Sequence, residues 1–410
     1  MRLSGTIKQT FYLYLAQIVN LFLGWVVTRL NITHLSVSEY GQLSFFITAV
    51  NVSYVFFTLG IFESASRLMA LEKSEREYRR LLAATLVLTA GVYGAFALFF
   101  RVSAPLFRHY FQVPIHALMI SLFPLAGAYL LNNAVQMSLR GAGRIGKLSV
   151  YTFTPRLFYA VVLGILVVLN RFTLKASAGF NLGSILLISL IFVGWESPDF
   201  RGWRESLRRL LREIKRFGIH IFWSEIIRVF LYHTDKLMIS FFLSSEQLAF
   251  YALAYTVTFP LSFFSTALST SSYKNFSTAE RISPRLLWVN LVWIVGTVSV
   301  FILLRKLIIL RLFSPHYAPS LQVFPILAIA FGVAGLTRLF SYFLTARGEG
   351  IAIRNISVMV LAVHLLLNAT FIPWLGIRGA AWAAFITYLV DLLLCLYYYR
   401  KHRIIRRGGR

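Results

Sequence analysis

Between Leu81 and Phe100 the chain reads LLAATLVLTAGVYGAFALFF, a run without a single charge. Wound as an α-helix, twenty residues extend about 30 Å, the thickness of a bilayer's hydrocarbon core. Hydrocarbon offers no water to peptide groups, so such a run crosses as a helix that satisfies its own N–H and C=O groups. A second uncharged run, LLWVNLVWIVGTVSVFILL at 286–304, reads the same way. Outward from these two, mainly apolar runs lie near 10–32, 40–64, 117–139, 148–169, 176–195, 217–243, 247–273, 319–346, 352–374 and 379–399. The expected fold class is an all-α polytopic membrane protein of about twelve transmembrane helices.

Composition agrees: 58% of the 410 residues are hydrophobic, 14% are charged, and the mean hydropathy is +0.70. A net charge of +26 in a soluble protein would suggest nucleic acid. Here the basic residues punctuate apolar segments, so they are topology signals and no nucleic-acid partner is expected. With the N-terminus inside, 28 Lys and Arg fall in cytoplasmic loops and tails against 8 outside, which places both termini in the cytoplasm. The first run is too long for a signal-peptide core and should remain as the first helix. The single cysteine, Cys395, excludes a disulfide framework or a cysteine metal site, and no cofactor is implied.

The halves repeat. LSVSEYGQLSFF (35–46) after the first helix parallels LSSEQLAFYALAY (243–255) after the seventh, and LRGAGRIGKLSV (139–150) parallels LTARGEGIAIRN (344–355). The expected organisation is a six-helix bundle at 1–196, a basic amphipathic linker at 197–216, a second bundle at 217–400 and a basic tail at 401–410. Six spans return the chain to its starting side, so the repeats are parallel and enclose a central cavity. In the linker, Trp203, Leu207, Leu210, Leu211, Ile214 and Phe217 share a helical face and the arginines lie elsewhere, as in a helix resting on anionic headgroups. GAGRIG (141–146) fits the dinucleotide fingerprint G-x-G-x-x-G but follows an apolar helix and no strand, which removes the required context.

Five basic residues fall inside spans: Arg29, Arg156, Arg228, Lys236 and Arg338. Glu225, Arg228, Tyr232 and Asp235 at i, i+3, i+7 and i+10 form a polar stripe on one helix face. A charge at the bilayer centre costs at least about 2.5–3.5 kcal/mol, so the stripe faces either a wet cavity or ion-pair partners within the bundle. Arg156 in the fifth helix and Arg338 in the tenth are read as equivalent positions, each beside a repeated loop. A guanidinium fork suits phosphate oxygens, and anchoring or helix packing is the competing reading. Arg29, at the outer end of the first helix, is also explained by snorkelling. Titratable candidates for an ion pathway are Asp235, Glu225 and Asp391, with His364, Asn368 and His220 as further relay groups.

TDKLMISFFLSSEQLAFYALAY (234–255) resembles the polysaccharide flippase branch of the multidrug/oligosaccharidyl-lipid/polysaccharide (MOP) exporter superfamily. Asp235 and Lys236 fill its charged pair and Tyr251 its aromatic position, while Ser240 and Ala249 stand where the family often has glycine. FIPWLGIRGAAWAAFITYLV (371–390) is similar to the family's penultimate loop and last helix, and SEYG (38–41) to its first outer turn. The resemblance implies a MATE-like fold in a prokaryotic cytoplasmic membrane. It implies a flippase that carries a polyprenyl-diphosphate-linked oligosaccharide outward by alternating access for surface polysaccharides such as O-antigen, beside polysaccharide polymerase partners. On that reading Arg228, Arg156, Arg338, Lys236, Tyr232 and Arg29 hold the cargo, and Asp235, Glu225 and Asp391 exchange a coupling ion. The alternatives are an exporter of organic cations, which would favour cavity carboxylates over arginines, and a membrane glycan polymerase or ligase, which would show a large outer loop.

Overall fold

The computed structural model describes residues 2–72 and 74–408. Among these the chain is helical without strands: α1 (Arg2–His34), α2 (Val37–Thr58), α3 (Ile61–Leu71), α4 (Glu75–Val102), α5 (Ala104–Tyr110), α6 (His116–Ala126), α7 (Ala128–Gly141), α8 (Ile145–Val168), α9 (Leu174–Glu196), α10 (Trp203–Glu213), α11 (Ile219–Phe242), α12 (Ser245–Thr258), α13 (Phe263–Thr278), α14 (Pro284–Lys306), α15 (Phe324–Ala346), α16 (Gly350–Leu375) and α17 (Ile377–Gly408). Eleven candidate spans among the described residues are long and apolar enough to cross a membrane, against the twelve expected. The difference is α11. Its 24 residues are long enough, but every 18-residue stretch of it contains Glu225, Arg228, Asp235 and Lys236.

Three expected single spans are broken helices. The second bends where Leu59 and Gly60 both take left-handed backbone, separating α2 from α3. The fourth breaks at Gly127, after Pro124, whose ring removes a helical hydrogen bond. Tyr93 of α4 donates from its hydroxyl to the Pro124 carbonyl at 2.6 Å, and its ring lies so close to Gly127 that a Cβ there would meet it at 2.5 Å. The eighth tightens into a 3₁₀ turn at Phe259–Ser262, around Pro260.

The chain forms two compact units, Met1–Phe230 and Leu231–Arg410. The linker helix α10 packs with the first unit on α3 and α4, and a π-helical turn, Ile214–Gly218, packs on α3 as the chain enters α11. At one end of this unit the N-terminal turns of α4 and α8 meet the C-terminal end of α9. Glu196, 3% exposed, accepts hydrogen bonds from Tyr78, Lys147 and Arg144, and Arg144 also reaches both Glu75 oxygens at 2.6 Å. Partial burial lowers the affinity of Arg144 for its proton, but Glu75 and Glu196 more than offset it, leaving the guanidinium above its ordinary pKa.

Both sequence repeats are the same local structures. Ser36 caps α2, closing a capping box with Glu39, and Ser244 caps α12 by accepting from the Gln247 N–H. This is the S-x-x-E/Q signature of a helix start. The second pair ends α7 and α15 with identical bonding: Arg144 N–H to Leu139 O and Glu349 N–H to Leu344 O, with Gly143 (φ +67°) and Gly348 (φ +78°) in the left-handed conformation between them.

The bend at Gly60 and the π-helical turn touch backbone to backbone. A Cβ on Gly60 would lie 2.1 Å from the Gly218 carbonyl oxygen, whereas one on Gly91, in α4, meets nothing. Gly60→Ala is therefore expected to destabilise by at least about 2 kcal/mol, from the left-handed φ and the overlap together. Gly91→Ala is expected to be neutral or slightly stabilising. Thermal unfolding of the detergent-solubilised protein, followed by monodispersity, checks both.

Candidate functional site

The second unit holds a buried polar centre built by four helices. Asp235 lies on α11, 4% exposed. Its Oδ2 accepts from the Tyr251 hydroxyl of α12, and its Oδ1 from His364 Nε2 at 2.8 Å and Asn368 Nδ2 at 3.2 Å, both on α16. Across the imidazole, His364 Nδ1 lies 3.1 Å from the Thr387 hydroxyl of α17. With Nε2–H given to the carboxylate, a neutral ring accepts at Nδ1 from Thr387. A second ring proton reverses that bond, and the hydroxyl can turn to accept it. Asn368 Nδ2 also donates to the His364 carbonyl at 2.9 Å, and its buried Oδ1 has no hydrogen-bond partner among the described groups.

Asp235 and its neighbour Lys236 do not pair, because successive helical residues point about 100° apart. Lys236 instead places its ammonium 5.0 Å from the centre of the Tyr255 ring, one turn along α12 from Tyr251. Tyr255 is stacked on Phe259 and meets Phe331 edge-on, so the cation rests on a packed aromatic wall.

Arg338, on α15, is nearby in the same unit but satisfied differently. It donates to the Tyr232 hydroxyl at 3.1 Å, while its buried Nε has no partner and no carboxylate lies within ion-pair distance among the described residues. Asp391, on α17, accepts from Cys395 at 3.7 Å and makes no bond to Asp235. The stripe on α11 therefore divides. Glu225 and Arg228 pair with each other one turn apart, whereas Tyr232 and Asp235 turn their polar atoms to α15, α12 and α16.

In the first unit Arg156 donates to the main-chain oxygen of Asn20 at 2.9 Å and covers Gly24, where a Cβ would meet its guanidinium at 3.1 Å. Arg29 is an exposed side chain on α1. The side chain of His220 lies outside the described set, as do those of the tail beyond Lys401. The sequence reading that made Arg156 and Arg338 equivalent is corrected by the repeat itself. Gly143 and Gly348 fix the offset at this loop, which sets Arg338 against Asn133 and Arg156 against Leu361.

The same offset brings Tyr159 of α8 onto His364 of α16. Tyr159 belongs to a buried centre of the first unit, where its hydroxyl meets Ser177 of α9 at 2.6 Å and Ser177 donates to Asn31 of α1 at 2.5 Å. The first, fifth and sixth helices of each half thus build a polar centre, Asn31–Tyr159–Ser177 in one and Asp235–His364–Thr387 in the other. The second alone contains a carboxylate and an imidazole. Its partners Tyr251 and Thr387 carried no signal in the sequence beyond family position, while His364 and Asn368 are one helical turn apart.

A family model described as polysaccharide biosynthesis protein matches residues 26–286. A search of curated proteins found no match. Among solved structures, the chain is similar to an inward-facing multidrug resistance MATE family transporter of the MOP superfamily, with a TM-score of 0.73 at 15% identity over 96% of each chain. It is similar to the lipid II flippase MurJ in an inward closed conformation, with a TM-score of 0.69 at 13% identity over 96% of this chain and 89% of that one. A MOP superfamily transporter from Pyrococcus furiosus gives 0.62 at 14% identity over 97% and 95%. The chain thus has the fold of these transporters, and by its sequence it belongs to the polysaccharide biosynthesis protein family.

Proposed function

We propose that this protein is a flippase that moves a polyprenyl-diphosphate-linked oligosaccharide across the cytoplasmic membrane by alternating access, coupled to protons at Asp235 and His364. The observation that carries the cargo reading is Arg338. It is half-buried in a membrane helix bundle, bonded among the described residues to a neutral hydroxyl, and its Nε donor is unused. With the Asp391 carboxylate beyond ion-pair distance, a guanidinium there is costly, and an anionic headgroup arriving with its own oxygens offsets that cost. Arg156, bonded to a main-chain carbonyl without a countercharge among the described residues, supports the same polarity. An organic cation would meet repulsion at both. The family and one neighbour of this fold, which acts on lipid II, favour a lipid-linked glycan over a drug. The outer connection at 101–116 contains only the seven-residue α5 and leaves little material for a polymerase or ligase domain.

The coupling reading rests on the second unit's centre. Asp235 and His364 share a hydrogen bond, the groups bonded to the pair, Tyr251 from α12, Asn368 from α16 and Thr387 from α17, are neutral, and the neighbouring charge is the Lys236 ammonium on α11. A proton arriving there changes the charge of a site bonded to four helices at once, which gives it differential interaction with two conformations.

In proteoliposomes carrying a polyprenyl-diphosphate oligosaccharide, Arg338→Gln is expected to slow translocation about 10- to 100-fold, the worth of a charge-assisted hydrogen bond to phosphate. Arg338→Lys should retain part of the rate. Unchanged rates in Arg338→Gln, or faster uptake of an organic cation in its place, sink the anionic-cargo reading.

Asp235→Asn keeps the shape of the centre and removes its charge. Its translocation is expected to lose at least about tenfold of the stimulation produced by an imposed pH gradient while retaining gradient-independent exchange. A wild-type protein stimulated by a sodium gradient and indifferent to pH would replace the proton with a metal cation. Asp235→Asn that follows the pH gradient normally would remove the centre from coupling.

A further inference from the structure

The linker helix α10 has a second face that transport leaves unexplained. Its inner face is fixed to the first unit: Leu210 is fully buried among Ala65, Met69, Tyr78, Leu81 and Leu82. Arg209 pairs with Glu72, and Glu213 accepts from Arg67 at 2.5 Å. The outer face carries Arg204, Arg208 and Arg212 at i, i+4 and i+8, one exposed column continued by exposed Lys215 and Arg216. None of these five lies within ion-pair distance of a carboxylate among the described residues; Arg212 Nε instead reaches the Arg208 carbonyl at 3.4 Å. Like charges one turn apart repel, so the column costs stability unless an anion covers it.

Its depth identifies that anion. Leu210 meets the first two turns of α4, whose 28 residues extend about 42 Å and so exceed the hydrocarbon core by about 12 Å. The uncharged run of α4 begins only at Leu81, which assigns the charged turns before it to the headgroup layer. Trp195, exposed at the end of α9 beneath the Lys147 ammonium at 4.5 Å, marks the same level, as does exposed Phe200. Leu211 is exposed between the arginines, where it can enter the acyl boundary.

We propose that the Arg204–Arg208–Arg212 column is a docking surface for the phosphodiester headgroups of anionic phospholipids in the leaflet that the loop charges assign to the cytoplasm. Arginine forks take phosphate oxygens two at a time, and the buried inner face holds the column toward the lipid. Since α10 leads through the π-helical turn into α11, bound lipid also steadies the segment that carries Asp235.

The test is electron spin resonance of the full-length protein in phosphatidylcholine vesicles containing spin-labelled phosphatidylglycerol or phosphatidylcholine. The motionally restricted signal is expected to favour phosphatidylglycerol about three- to fivefold at low salt, and to lose that preference at high salt. Arg204→Gln/Arg208→Gln/Arg212→Gln should bring the ratio near one, the corresponding triple Lys variant should keep most of it, and Arg208→Gln alone should fall between. A triple Gln variant that is monodisperse and retains the full preference overturns the proposal. So does a wild type without preference, or one whose preference soluble pyrophosphate abolishes, which would make the column a site for a free diphosphate. Should the triple Gln variant fail to fold, an unaltered ratio in Arg208→Gln overturns it equally.

Discussion

A carboxylate inside a helix bundle that faces lipid has no water to fall back on, and Asp235 shows what that constraint imposes. Each oxygen needs a donor from a neighbouring helix, so α12 must present Tyr251, and α16 must present His364 and Asn368, at fixed heights and rotations. His364 in turn requires Thr387, which fixes α17. Four helices are registered by one ionised group. Apolar packing alone specifies rotation less sharply, because lipid tails are as favourable to Leu as another helix is.

Arg338 is the contrast. It sits in the same unit on a helix rich in buried small and aromatic residues, yet among the described residues its one hydrogen bond is to a hydroxyl. A satisfied network holds a structure still, whereas spare donors cost stability until a ligand meets them. The two sites therefore differ in kind: a closed centre whose members satisfy one another, and an open one that keeps a permanent charge with an unused donor.

Legibility followed the range of the physics. Span length, loop charge and the S-x-x-E/Q caps are local, and the runs at 81–100 and 286–304 fall within α4 and α14 as read. The breaks were less visible. Leu59–Gly60 bends because the π-helical turn at Gly218, more than 150 residues away, approaches within backbone contact. The polar stripe of α11 named Glu225, Arg228, Tyr232 and Asp235 from periodicity, but periodicity does not name partners, which come from α12, α15, α16 and α17. Asp235 and Lys236 looked like a pair in sequence, and helical geometry separates them. Asp391 looked like a member of the same pathway, yet its described bond is to Cys395.

The duplication sharpens why the second half holds the titratable centre. Both halves keep a polar knot on their first, fifth and sixth helices, and in both the fifth helix starts from the same glycine-capped loop. A neutral Asn–Tyr–Ser knot supplies registration at little cost in desolvation, and it serves structure at any pH. The Asp–His–Thr knot, which shares only the Tyr159/His364 position with the first, adds a charge that must be solvated by the protein, a burden that registration alone does not justify. The neutral version, present in the same chain, shows that the fold does not need the charge. What the charged version adds is a carboxylate and an imidazole in hydrogen-bond contact, and it is on that pair that the proposed coupling rests.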